Sequence, residues 1–203
     1  DPHGIHIGPD NQVYVVDRDD HVVVVFNSEG DLTLTLGTRG RPSPDKSGGP
    51  FNRPTGVALS SEGDIYVSDG YGNARVHKFT PDGSLILSWG GPGDHPGQFN
   101  LPHGICVDSL DRVYVADREN NRVQLFSDEG DYIKEWRGLL QPADVTVDPN
   151  GVIYVAELGR RVTVMDYDGE LLGRLANDDA NMPTDFIAPH TIAVDSGGDV
   201  YIG

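Results

Sequence analysis

Apolar residues along this chain fall in short runs, and nearly every run ends at an acidic residue or a glycine-containing turn. Val13-Tyr14-Val15-Val16-Asp17, Ile65-Tyr66-Val67-Ser68-Asp69, Val113-Tyr114-Val115-Ala116-Asp117 and Ile153-Tyr154-Val155-Ala156-Glu157 are versions of one phrase, and Val200-Tyr201-Ile202-Gly203 begins another. β-branched and aromatic residues in short stretches, broken by Gly, Asp and Asn, predict antiparallel strands. In the third unit the strands are expected over Gly104–Val107, Val113–Asp117, Arg122–Phe126 and Tyr132–Trp136. No window long enough for a helix shows a helical period.

The units also share their starts. Pro2-His3-Gly4-Ile5, Pro54-Thr55-Gly56-Val57, Pro102-His103-Gly104-Ile105, Pro142-Ala143-Asp144-Val145 and Pro189-His190-Thr191-Ile192 lie 52, 48, 40 and 47 residues apart. Four strands in roughly 40–50 residues is the signature of a β-propeller blade. The expected fold is therefore all-β: a single, incomplete propeller over 1–203, with blades at approximately 2–53, 54–101, 102–141, 142–188 and, in part, 189–203. Closure removes the exposed edges of such a ring. Four blades and part of a fifth read as a fragment of a longer chain, with six blades and roughly 270 residues expected in full.

Charge narrows the partners. With 32 acidic and 15 basic side chains the formal charge is −17, which argues against nucleic acid or an anionic membrane surface as a partner. The longest apolar run, Val22 to Phe26, is far short of a membrane-spanning segment. No basic, apolar, small-residue leader pattern opens the stretch, and the single Cys106 excludes an internal disulfide.

Histidine occupies the second position of the first, third and fifth units, as His3, His103 and His190. The first strand of each blade lines the central channel, so these side chains stand at one mouth of it. In a six-bladed ring alternate blades are a third of a turn apart, and the three imidazoles converge. Three neutral nitrogen ligands with an open position suit zinc. The bland alternative is that Pro-His-Gly is a favoured turn. His6, His21, His77 and His95 show no such recurrence and are read as surface or packing residues.

The loops after each second strand share that rim. Only the loop of the second unit carries an aromatic hydroxyl, Tyr71, between Gly70 and Gly72, and it is one residue longer than its counterpart in the third unit. The glycines suggest an unusual backbone path or a close approach. A tyrosine beside a cation is a candidate general base; the alternative is a packing role at the channel mouth. Arg118 is the candidate carboxylate anchor, against a simple ion pair with Glu119, and Arg18 is its counterpart in the first unit. Asp17, Asp69 and Asp117 are read as turn-forming, and Arg75 and Arg122 as struts between blades.

The phrases Asn52-Arg53-Pro54-Thr55-Gly56-Val57, Ser68-Asp69-Gly70-Tyr71-Gly72-Asn73, Pro96-Gly97-Gln98-Phe99 and Ala116-Asp117-Arg118-Glu119-Asn120 resemble NHL-repeat propellers, and within them the peptidyl-α-hydroxyglycine α-amidating lyases. That resemblance implies a six-bladed propeller with zinc on His3, His103 and His190, a catalytic Tyr71 and a substrate-binding Arg118. A second family arginine is expected in the preceding blade. The implied reaction cleaves the C–N bond of a peptidyl-α-hydroxyglycine to a peptide amide and glyoxylate, on a peptide C-terminus or a small-molecule substrate. Gly72 stands where animal members have a disulfide cysteine, Ala188 where a methionine is common, and Thr191 where an aspartate helps bind structural calcium. Calcium is therefore less expected than zinc. The resemblance favours a secreted or periplasmic protein. Two other readings stay open: a non-catalytic NHL propeller that binds a protein or ligand on one face, and a metal-dependent hydrolase of the lactonase kind, which the all-histidine set disfavours.

Overall fold

A computed structural model describes residues 1–176, 186–195 and 197–203. Four antiparallel four-stranded sheets follow one another along the chain, each a simple meander, and a two-stranded sheet follows them. The first comprises β1 (Pro2–Ile7), β2 (Val13–Asp17), β3 (Val22–Phe26) and β4 (Leu32–Gly37). β5 (Gly56–Leu59), β6 (Ile65–Asp69), β7 (Arg75–Phe79) and β8 (Leu85–Gly90) form the second. β9 (Pro102–Val107), β10 (Val113–Asp117), β11 (Arg122–Phe126) and β12 (Tyr132–Arg137) form the third. The fourth holds β13 (Pro142–Val147), β14 (Ile153–Glu157), β15 (Arg161–Met165) and β16 (Leu171–Ala176), and the fifth β17 (Ile192–Val194) and β18 (Val200–Ile202). This is the all-β propeller arrangement expected from the repeats. Among the described residues the only helical element is a 3-10 turn at Arg118–Asn120, and no helix there is long and apolar enough to cross a membrane.

The run-on apolar composition of the second strands has a direct cause. Alternate side chains of a strand point to opposite faces, and in the middle of the stack both faces are covered. Ile65 and Val67 of β6 pack into a cluster with Val16, Val23 and Val25 of the first blade. Their neighbour Tyr66 faces the other way, with Val113 and Val115 of the third. Tyr114 and Ala116 of β10 then join Val145, Ile153 and Val155 of the fourth blade. Each blade interface is thus a dry sandwich of side chains, and each fully buried Val or Leu contributes about 1.5–3 kcal/mol. The outer hairpin turns complete the contact: a Cβ at Gly130, whose φ is +81°, would lie 2.9 Å from Trp89 of the preceding blade.

The acidic residue that ends each second strand does more than make a turn. Both carboxylate oxygens of Asp69 accept from Asn52 N at 3.0 Å, Asp117 accepts from Asn100 N at 2.7 Å, and Glu157 accepts from Leu140 N. These are the segments that lead into the same blade. Buried Arg122 completes the junction of the third blade, pairing with Asp117 and Glu135 and donating to the carbonyls of Asp94, His95 and Gln98. It is a strut between a blade and the segment entering it. In the second blade His77, at the register position of Gln124, is buried between Ser88 and Asp69.

Candidate functional site at the channel mouth

A cavity of about 940 Å³ runs along the first strands of all five sheets. At its mouth the pairing of β1 with β2 slips by one residue between Pro2 and Gly4, which leaves His3 as the extra residue of a β-bulge. β9 slips over the segment that holds His103, and β13 at Ala143. A bulge re-aims the side chain it carries. The second position of the unit is therefore turned out of the strand's ordinary alternation.

One ring nitrogen from each of His3, His103 and His190 lies within 4.8 Å of the others, so the three could hold a metal ion. The rings meet edge-on, with centroids 4.7–5.3 Å apart. His3 Nδ1 sits 2.7 Å from Thr55 O, and His103 Nδ1 sits 2.7 Å from Ala143 O. A carbonyl only accepts, so each Nδ1 carries the proton and each Nε2 presents a lone pair. In both cases the carbonyl belongs to the second position of the next unit. Burial, reinforced by the charge of His3, pulls the His103 pKa down to about 3. Burial also lowers His3 and His190, and the guanidinium of Arg118 adds to both shifts. Three neutral imidazoles with fixed tautomers on two of them are a donor set that fits a zinc ion.

Tyr71 hangs over this cluster. Its hydroxyl is 3.2 Å from Nε2 of both His3 and His103, and Arg118 Nη1 is 3.5 Å away. Arg18 and Arg118 lie with Cζ 5.7 and 5.6 Å from the Tyr71 ring centre. Both also pair locally, Arg18 with Asp1 and Asp19, Arg118 with Glu119. Arg118 is the more enclosed, with side-chain exposure of 15% against 30%.

The glycines beside Tyr71 serve close approach, not an unusual φ. A Cβ on Gly70 would fall 2.0 Å from Pro102 O, and one on Gly72 would fall 2.2 Å from the Asn52 side chain. The loop is wedged between the segment that enters its own blade and the start of the next. Its main chain is held by Tyr71 N donating to Arg53 O and Gly72 N donating to Asn52 O. Arg18 N, Arg118 N and Leu158 N make the equivalent bonds, to Asp1 O, Leu101 O and Gln141 O. Tyr71 therefore occupies the same main-chain slot as Arg18 and Arg118, and Gly70 is the extra residue.

Two further residues matter here, His21, read from the sequence as a surface or packing residue, and Asp144, to which the sequence assigned no role. His21 accepts from Arg53 N at 3.0 Å and steadies the segment behind Tyr71. Asp144 stands half-buried in the channel wall, where the other complete units have Gly4, Gly56 and Gly104, and burial raises its pKa to about 7. The signal for it was present: an aspartate in a glycine slot of the repeat.

The repeat and the blade stack define a β-propeller, and its channel has a histidine-lined mouth. The NHL repeat matches residues 51–79 and 99–126. The chain is 41% identical over 92 residues to peptidyl-alpha-hydroxyglycine alpha-amidating lyase 1 of Drosophila melanogaster, covering 44% of this chain and 16% of that protein. It is 31% identical over 222 residues to peptidyl-glycine alpha-amidating monooxygenase B of Xenopus laevis, covering all of this chain and 25% of that protein. NHL repeat-containing protein 3 of Homo sapiens is 31% identical over 218 residues, covering 99% of this chain and 63% of that protein. The chain thus spans less than two thirds of each of these relatives. Among solved structures, virginiamycin B lyase of Staphylococcus aureus superposes with a TM-score of 0.73 at 16% identity, over 99% of this chain and 62% of that one. That likeness is one of fold.

Proposed function

We propose that the protein is a zinc-dependent carbon–nitrogen lyase that cleaves a peptidyl-α-hydroxyglycine-like carbinolamide to an amide and glyoxylate. The observation that carries this reading is the Tyr71 hydroxyl, 3.2 Å from Nε2 of two neutral histidines and within reach of Arg118. The names of the lyase relatives point the same way. His3, His103 and His190 would hold the metal, which supplies Lewis-acid polarisation of the substrate's oxygen.

In this reading Arg118 clamps the carboxylate of the substrate and orients the C–N bond, and Arg18 assists from the other occupied arginine slot. Tyr71 takes the proton of the carbinol hydroxyl. The O–H pair becomes the carbonyl of glyoxylate, the C–N bond breaks, and its electrons leave on the amide nitrogen. That nitrogen takes up a proton, which Tyr71 can return. Atoms and charge balance, and no oxidant or reductant enters.

The test is glyoxylate release from α-hydroxyhippurate by the full-length protein. Turnover should disappear on zinc chelation and return on adding zinc, and His103→Ala should abolish both zinc binding and turnover. A folded protein that binds no zinc, or binds zinc and releases no glyoxylate, refutes the proposal.

A further inference from the structure

His190 differs from its two companions in how it is held. His3 and His103 each lock their ring by Nδ1 donation to a carbonyl of the next unit. The His190 ring makes no such bond among the described residues. Its placement comes from the main chain: His190 N and Thr191 N donate to Gly203 O, and Ile192 N, two residues on, donates to Asp144 Oδ2 at 3.0 Å. Asp144 Oδ1 is anchored in turn by Val145 N at 2.9 Å.

The glycine slot explains why a carboxylate can make this reach. Where Gly4 faces Gly56, and where Gly56 faces His103, neighbouring first strands approach so closely that an added Cβ would sit 2.8–3.0 Å from the next unit's carbonyl. At Gly104 a Cβ would run into Asp144 itself, 2.3 Å from Oδ1. The third unit must keep glycine so that the fourth can carry the acid. The acid then bridges to the fifth sheet from inside the channel wall.

We propose that Asp144 is a positioning residue for the third imidazole, a carboxylate strap that fixes the start of β17, and with it the segment bearing His190, at the distance from His3 and His103 that a shared ion requires. The idea rests on the metal-binding reading above, and its test separates the two. In the metal-free full-length protein, Asp144→Ala should raise hydrogen exchange at the Ile192 amide by at least tenfold, while amides in β6 and β10 keep their protection. Asp144→Asn retains one carbonyl acceptor and should restore most of it. Unchanged exchange at Ile192 overturns the strap whether or not zinc binds. In the zinc arm, Asp144→Ala should weaken affinity in chelator competition by about 10–100-fold, the usual cost of losing an outer-shell partner, with partial rescue by Asp144→Asn. Equal affinity in wild type and Asp144→Ala also overturns it. A wild-type protein that takes up no zinc would instead sink the proposed function and leave the exchange result to decide the strap.

Discussion

The rim loops of the second and third blades start from the same repeat and diverge by one residue. Asp69 and Asp117 end their strands alike, and both loops hang from the carbonyl that precedes a unit proline, Tyr71 N on Arg53 O and Arg118 N on Leu101 O. In the third blade the slot is filled directly after the acid, and Arg118 opens a 3-10 turn. In the second, Gly70 is inserted first, squeezed against Pro102 O, and the slot passes to a tyrosine. The rigid frame of acid and proline is common to both, so the chemistry of the rim is set by what one short loop carries. The frame and the loop should answer differently to mutation.

The largest expected effect falls on the loop alone. Tyr71→Phe should cut glyoxylate release by about 10²–10⁴, the usual weight of a proton-transfer group, while the thermal melt stays within a degree or two of wild type. A comparable fall in melting temperature would make Tyr71 a packing residue. Next, Gly72→Ala puts a methyl group where the Asn52 amide now sits. Turnover should drop by roughly tenfold or more through displacement of Tyr71, in keeping with the sensitivity of catalysis to small misplacements. The same change in the third blade's loop meets no such wall, because Glu119 already carries a side chain at the equivalent bond to Asn100 O.

The frame should show the reverse behaviour. Leu125→Ala, in the fully buried cluster between the third and fourth blades, should cost about 2–5 kcal/mol of stability. Activity per folded molecule should hold, as read by denaturant unfolding beside active-site titration. A smaller effect is expected from acid. The unfolded chain protonates His103 near pH 6.5, whereas the folded one resists to about 3. The metal-free protein should therefore lose stability progressively as pH falls from 6.5 toward 3. His103→Gln should flatten that slope in urea titrations taken at successive pH values, and an unchanged slope would place the acid sensitivity elsewhere. Smallest of all, burial raises the thiol pKa of Cys106, so alkylation at pH 8 should be much slower than for a free thiol.

The blades were readable because the repeat states its own period and because apolar runs such as Ile65–Val67 must be covered on both faces. The three histidines were readable for the same reason, as a recurrence at one position. The β-bulge that turns His3 aside is set by register, which a single strand does not display. The role of Gly70 and Gly72 was half legible: a tight approach was foreseen, but the partners, Pro102 O and the Asn52 amide, lie in segments distant in sequence. Asp17, Asp69 and Asp117 were read as turn formers because a turn is local. The N–H groups that Asp69 and Asp117 capture belong to segments many residues upstream, and only the folded blade brings them together. Asp144 broke the repeat in plain view, yet its meaning depends on the neighbouring sheet, 48 residues on, whose Ile192 amide it captures.

Each imidazole that is locked takes its tautomer from the main chain of the following unit, through Thr55 O and Ala143 O. The protonation pattern of the centre is thus owned by the joints of the ring and by no single sector. A circular permutant cut at Pro54 or Pro142, beside Thr55 O and Ala143 O, would loosen one of these joints and free a nitrogen to swap its hydrogen, whereas a cut in an outer turn such as Ser28-Glu29 would leave both joints sealed. Engineers who wish to relocate the termini should open an outer turn of the wheel and spare its hub.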